Sequence, residues 1–155
     1  MALLKVAIVG CGKIADGHVE EIQKLGHLAE LVGVCDREMI MATQLATRYG
    51  VPKAYDDYDQ MLRELRPDVV HVATPPQVHK DLAVKAIDAG AHVFVEKPLT
   101  LDYASSRALV EHAEHAGKKV GVGYSYHFEP QAEDLREMLR RGQLGDVLHI
   151  LRFYG

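Results

Sequence analysis

The 155-residue chain has only two cysteines, no excess of basic charge and no long apolar run. Cys11 and Cys35 cannot build a disulfide framework, and nothing around them marks an oxidising compartment. A net charge of −4 argues against a nucleic-acid partner, because a phosphate backbone calls for a basic stripe. No apolar stretch approaches the roughly 18–20 residues that span a bilayer. The opening segment, MALLKVAIVG, has no basic region followed by an apolar stretch and a small-residue cleavage site, so it does not read as a signal peptide. Repeats and low-complexity tracts are missing too. No H-E-x-x-H or cysteine cluster offers a metal site, and His112 and His115 read as a solvated helix face. A G-x-S-x-G elbow and a Walker lysine are absent, which sets aside hydrolase and NTPase chemistry. The expectation is a soluble, cytoplasmic protein with no membrane and no nucleic-acid partner. With 48% hydrophobic and 26% charged residues, it can fold around one core.

What is present is a regular alternation of short apolar runs and helical patterns, the signature of a parallel sheet wrapped by helices. Strands are expected at Leu4–Val9, Leu31–Val34, Lys53–Tyr55, Asp68–Ala73, His92–Val95 and Lys119–Gly123. Helices are expected near Lys13–Leu25, Glu38–Tyr49, Tyr58–Leu65, Gln77–Ala89 and Asp102–Ala116, with Gly50 and Gly90 as stops. The strands are near-continuous apolar runs rather than alternations, as strands covered on both faces are. This is the doubly wound α/β class, a Rossmann sheet with strand order 3-2-1-4-5-6. Beyond Gly123 a charged helical pattern, Gln131–Arg141, leads to an apolar strand pattern, Val147–Tyr154. That strand is either an edge of the same sheet or the first strand of a further domain. The second is favoured, because the α/β unit reads as complete at Gly123. The expected division is a dinucleotide-binding domain over 1–128 and, over 129–155, a linker helix and first strand of a domain otherwise absent.

Gly10-Cys11-Gly12-Lys13-Ile14-Ala15 fits G-x-G-x-x-A, a weak pattern alone but placed here between a strand and a helix. Gly10 allows the tight turn, Gly12 lets the backbone approach a pyrophosphate at the helix N-terminus, and Ala15 keeps helix close to strand. Asp36 ends the second strand, where a carboxylate can accept from both adenine-ribose hydroxyls and repel a 2′-phosphate. Arg37 beside it could instead accommodate that phosphate, so NAD is favoured and NADP stays open. Two more segments follow strands, at the sheet edge where ligands bind in this class. In ATPPQVH, the paired prolines Pro75 and Pro76 stiffen the loop, Thr74 can present a hydroxyl and backbone to the cofactor, and His79 sits on the solvated first turn of a helix. In VFVEKPLT, Glu96 and Lys97 follow the fifth strand, and Lys97 is suited to hold a substrate oxygen and share in proton transfer. Pro98 removes a backbone donor and allows a cis bond.

GCGKIADGH, the Cys35-Asp36 pair, ATPPQVH and EKPLT, in this order, resemble the Gfo/Idh/MocA oxidoreductases over about Lys5 to Phe128. The resemblance implies an N-terminal NAD(P)-binding Rossmann domain and a C-terminal α/β domain that shapes the substrate pocket and an oligomer interface. It implies hydride transfer between nicotinamide and a hydroxyl-bearing carbon of a sugar, polyol or cyclitol. Gly10, Gly12, Ile14, Asp36, Thr74, Pro75, His79, Glu96 and Lys97 would then line the cofactor, with Lys97 as the catalytic lysine. Two departures matter. Tyr124-Ser125-Tyr126-His127-Phe128 stands where the family often has an asparagine and then an arginine before phenylalanine, so Tyr126 and His127 occupy a substrate edge of unassigned chemistry. Family members also run to more than twice this length, so the chain alone is expected to be inactive. The rival reading is a stand-alone NAD-binding sensor without catalysis.

Overall fold

The computed structural model describes residues 2–125, 129–149 and 151. Its elements are β1 (Leu4–Val9), α1 (Lys13–Lys24), β2 (Ala29–Cys35), α2 (Met39–Tyr49), β3 (Ala54–Tyr55), α3 (Tyr58–Leu65), β4 (Val69–Val72), α4 (His79–Asp88), β5 (His92–Val95), α5 (Tyr103–His115), β6 (Val120–Val122) and α6 (Pro130–Arg140). The six strands form one parallel sheet in the order β3-β2-β1-β4-β5-β6. Two compact units divide the chain, Met1–Gly123 and Tyr124–Gly155.

The central strand β1 sorts its buried side chains by alternation. Val6 and Ile8 of β1 face α1 and α2, where Ala15, Val19, Ile22, Ala42 and Leu45 complete one apolar layer. Ala7 and Val9 face the other way, into a layer with Val70, Val72, Val93 and Val95 closed by α3, α4 and α5. Both faces of the central strands are therefore dry, which is why their sequences show no polar alternation. Each fully buried Ile or Val contributes roughly 1.5–3 kcal/mol of transfer free energy, so β1 alone is a major source of stability.

β2 is longer than its apolar run, because Ala29 and Glu30 pair with Leu4 and Lys5 although Glu30 is exposed. The ladder skips a residue between Val6 and Ala7, and a Cβ on Gly33 would come within 2.5 Å of Leu65 Cδ1. α3 packs that closely on the sheet only because Gly33 has no side chain. Prolines 75 and 76 delay α4 to His79 behind a 3₁₀ turn, Pro76–Val78. The strand expected over Val147–Tyr154 is not seen at Val147, Leu148, His149 and Leu151, which have no regular structure; residues 150 and 152–154 lie outside the described residues. A lone segment has no ladder partner to hold it extended.

Candidate functional site

The turn after β1 is fixed at both ends. Gly10 has φ 95°, and a Cβ there would lie 2.6 Å from both C and O of Ala73, so only glycine fits between β1 and the end of β4. Gly10 N–H donates to Cys35 O at 2.8 Å. Asp36 holds the next residue, accepting from Cys11 N–H at 2.8 Å, while its other oxygen accepts from Glu38 N–H at 3.0 Å. One carboxylate thus anchors the glycine loop and the entry to α2. Gly12 then caps α1 with no side-chain hydrogen bond, and nothing lies within 4 Å of a Cβ built on it. The first N–H groups of a helix have no intrahelical partner, so in this cradle the N–H groups at the start of α1 are directed at open space.

A cavity of about 670 Å³ extends from that cradle, within the usual range for ligand pockets. Gly10, Gly12, Asp36, Arg37, Thr74 and Pro75 line it, all anticipated from sequence. Glu38, Met41, Asp56, Tyr58, Gln77, Val78 and Leu82 line it as well and were not anticipated. Met41, Tyr58 and Leu82 carry no motif; each is an ordinary apolar residue of an amphipathic helix. At the Asp36 end three carboxylates, Asp36, Glu38 and Asp56, stand against one guanidinium, Arg37. Arg37 is almost fully exposed and sits 3.7 Å from Glu38, a loose pair of little energetic weight. Thr74 also lines the cavity, and its Oγ1 is buried with no hydrogen-bond partner among the described residues. An orphaned hydroxyl costs roughly 1–3 kcal/mol unless a ligand satisfies it. Open amides for a pyrophosphate, a carboxylate for a ribose and a hydroxyl awaiting a partner fit a dinucleotide.

The other anticipated residues are placed differently. Lys13 and Ile14 are exposed on the first turn of α1, outside the cavity lining, and Ala15 is fully buried against the sheet. Cys11 turns its side chain into the core, Sγ lying 3.4 Å from Cys35 O. Burial, and then the Asp36 charge, push both the Cys11 and Cys35 thiols up to about 12. Fewer than about one in a thousand of either is thiolate at pH 8. An alkylating or disulfide reagent at pH 8 is therefore expected to label neither cysteine in the folded chain and both after denaturation. Rapid labelling of folded protein would contradict the burial described.

Glu96, Lys97 and His79 do not line the cavity either. Lys97 is exposed just beyond β5, joined to Pro98 by a cis bond, on the same carboxyl edge of the sheet as the glycine loop. Glu96 turns its carboxylate to His18 Nε2 at 3.0 Å and to the Lys97 N–H at 3.2 Å. His79 is fully buried, its Nδ1 2.9 Å from Pro98 O and its Nε2 2.7 Å from Thr74 O. Tyr126 and His127 lie outside the described residues. No described helix is long and apolar enough to cross a membrane, and no group of three metal-ligating side chains occurs among the described residues.

The chain is similar to known proteins over most of its length. The profile of the oxidoreductase family Gfo/Idh/MocA, NAD-binding Rossmann fold, matches residues 4–124. D-glucoside 3-dehydrogenase of Escherichia coli K12 is 34% identical over 93% of this chain and 41% of its own length. The NAD(+)-dependent scyllo-inositol 2-dehydrogenase of Bacillus subtilis 168 is 30% identical over 97% of this chain and 44% of its own. Among solved structures, Lactobacillus casei scyllo-inositol dehydrogenase, with NAD(H) and scyllo-inositol bound, superposes with a TM-score of 0.85 at 25% identity, covering 94% of this chain and 43% of that one. The WlbA dehydrogenase of Bordetella pertussis, with NADH and UDP-GlcNAcA, gives 0.87 at 25% identity over 93% and 44%. The chain spans less than half the length of these relatives. Because that profile matches residues 4–124, well over half of the chain, the chain belongs to the Gfo/Idh/MocA oxidoreductase family, with that family's NAD-binding Rossmann fold over those residues.

Proposed function

We propose that residues 1–128 bind NAD for a cytoplasmic dehydrogenase acting on a hydroxyl-bearing carbon of a sugar, polyol or cyclitol. Residues 129–155 lead, in this reading, to a substrate-binding half, and the whole protein works as a homo-oligomer. The observation that carries it is the cavity joining the Gly10–Gly12 cradle, the Asp36 carboxylate and the orphaned Thr74 hydroxyl. The cofactor supplies the hydride chemistry; the chain supplies position and electrostatics. The N–H groups of Gly12 and the first turn of α1 hold the pyrophosphate, Asp36 accepts from the adenine ribose, and Thr74 Oγ1 gains the partner it lacks. Lys97, just past β5, orients the substrate hydroxyl and shares in its deprotonation. The relatives named above as glucoside and inositol dehydrogenases support this substrate class.

The acidic end of the cavity sets cofactor choice. A 2′-phosphate would meet three carboxylates and one loosely held guanidinium, so NADH should bind at least about tenfold tighter than NADPH at physiological salt. Asp36→Ala removes the ribose acceptor and releases the Cys11 amide together, so NADH affinity should fall on the order of tenfold or more, with the preference over NADPH largely lost. Fluorescence titration of the folded chain with each cofactor checks both. Preference for NADPH would transfer the specificity to Arg37. No binding of either would contradict the proposal for this cavity. Binding without turnover in a protein that carries both halves would favour a sensor.

A further inference from the structure

We propose that His18 and His79, neither of which lines the cavity, are the positioning residues that hold Lys97. The inference rests on Lys97 being the substrate-facing lysine. The peptide on one side of it is held by the neighbouring Glu96 carboxylate, itself held by His18 of α1, and on the other side by His79 of α4. On one side the Lys97 N–H donates to Glu96 Oε2 at 3.2 Å, and Glu96 Oε1 accepts from His18 Nε2 at 3.0 Å. On the other side the Pro98 carbonyl meets His79 Nδ1 at 2.9 Å, and His79 Nε2 reaches the Thr74 carbonyl at 2.7 Å. His18 belongs to α1 and His79 is the first residue of α4, so both grips are anchored in regular structure.

Neither ring is free to turn. His18 Nδ1 lies 3.0 Å from His71 Nδ1, and its ring packs edge-on against Phe94. Burial and the neighbouring His18 push His71 down to about 4, so His71 is neutral at pH 7. The Glu96 carboxylate lies close against the backbone of Gly123, where a Cβ would fall 2.9 Å from its Oε1. His79 has 0% exposure, and a carbonyl faces each ring nitrogen. Through that ring the Thr74 loop, which lines the cavity, is tied to the Lys97–Pro98 segment. The two histidines thus give Lys97 a fixed seat relative to the cofactor loop, and neither needs to touch a ligand.

Side-chain geometry supplies a test that a merely structural role would fail. An asparagine amide reaches the place of a histidine Nδ1, and a glutamine amide that of Nε2. His79→Asn keeps the donor to Pro98, whereas His79→Gln keeps only the one to Thr74. His18→Gln keeps the donor to Glu96, whereas His18→Asn loses it. Hydrogen exchange at the Lys97 amide, read by NMR on the folded chain without cofactor, should speed up about tenfold in His79→Gln and His18→Asn. It should stay within about twofold of the parent in His79→Asn and His18→Gln. If the two variants at each position behave alike, fast or slow, the proposal is overturned. Should a variant at the fully buried position 79 fail to fold, the pair at His18, whose side chain keeps 9% exposure, decides the matter alone. Because this measurement involves no turnover, it stands or falls separately from the catalytic role of Lys97, which kinetics test.

Discussion

Gly10→Ala should destabilise the domain by roughly 2–5 kcal/mol, whereas Gly12→Ala, two residues away, should leave stability nearly unchanged and weaken NADH binding instead. The difference is geometric. Gly10 sits at φ 95°, where an L-residue is strained by about 1–2 kcal/mol, and its new methyl would press on the backbone of Ala73 at 2.6 Å. A backbone neighbour cannot swing aside like a side chain, so β4 and the Thr74 loop must shift, at about 1–3 kcal/mol for overpacking. For a domain of this size that lowers Tm by on the order of 10 °C. Gly12 has φ −74°, which any residue adopts, and no protein atom within 4 Å of the added carbon. The methyl there occupies only the space a pyrophosphate needs, so affinity should fall about tenfold or more with Tm held. Paired melting curves and NADH titrations read both effects. An unshifted Tm for Gly10→Ala would mean the turn is not as tight as described; unchanged NADH affinity for Gly12→Ala would place the cofactor elsewhere.

That contrast marks what the sequence shows and what it hides. The sheet was legible because its strands are buried on both faces, and Val6–Val9 therefore reads as an uninterrupted apolar run. The glycine loop and Asp36 were legible because their chemistry is local: a strand, a turn and a helix start within a dozen residues, and an acid at the next strand end. The extension of β2 through Glu30 was hidden, since an exposed polar residue at a sheet margin carries no periodic signal. The walls of the cavity at Met41, Tyr58 and Leu82 were hidden for a related reason. An apolar residue facing a ligand and one facing a core look the same. Glu96 shows the limit most clearly. The resemblance implies a place for it along the cofactor, while its carboxylate faces His18, 78 residues earlier, a partner that no local pattern announces. His79 likewise reads as a helix start, and only the fold shows the two carbonyls it bridges.

Lys97→Ala, in a protein carrying both the NAD-binding and the substrate-binding halves, should lower kcat by roughly 10²–10⁴ while leaving the NADH dissociation constant within about threefold. The cavity does not include Lys97, so the adenosine and pyrophosphate contacts survive the change. What is lost is a cation beside the substrate hydroxyl, where negative charge develops as the proton leaves and hydride departs from the same carbon. An interaction that strengthens only as that charge forms lowers kcat rather than affinity. Lys97→Arg should not restore the rate. A guanidinium keeps the positive charge but stays protonated throughout, so it can attract the oxygen yet cannot relay its proton. Full recovery in Lys97→Arg would reduce the lysine to an electrostatic role. Unchanged kcat in Lys97→Ala would remove it from catalysis altogether, and would leave the Glu96–His18 and His79 contacts as supports of a loop rather than of a reacting group. The separation of kcat from cofactor affinity is therefore the decisive quantity, because the fold places the lysine and the dinucleotide loop on one sheet edge but in different contacts.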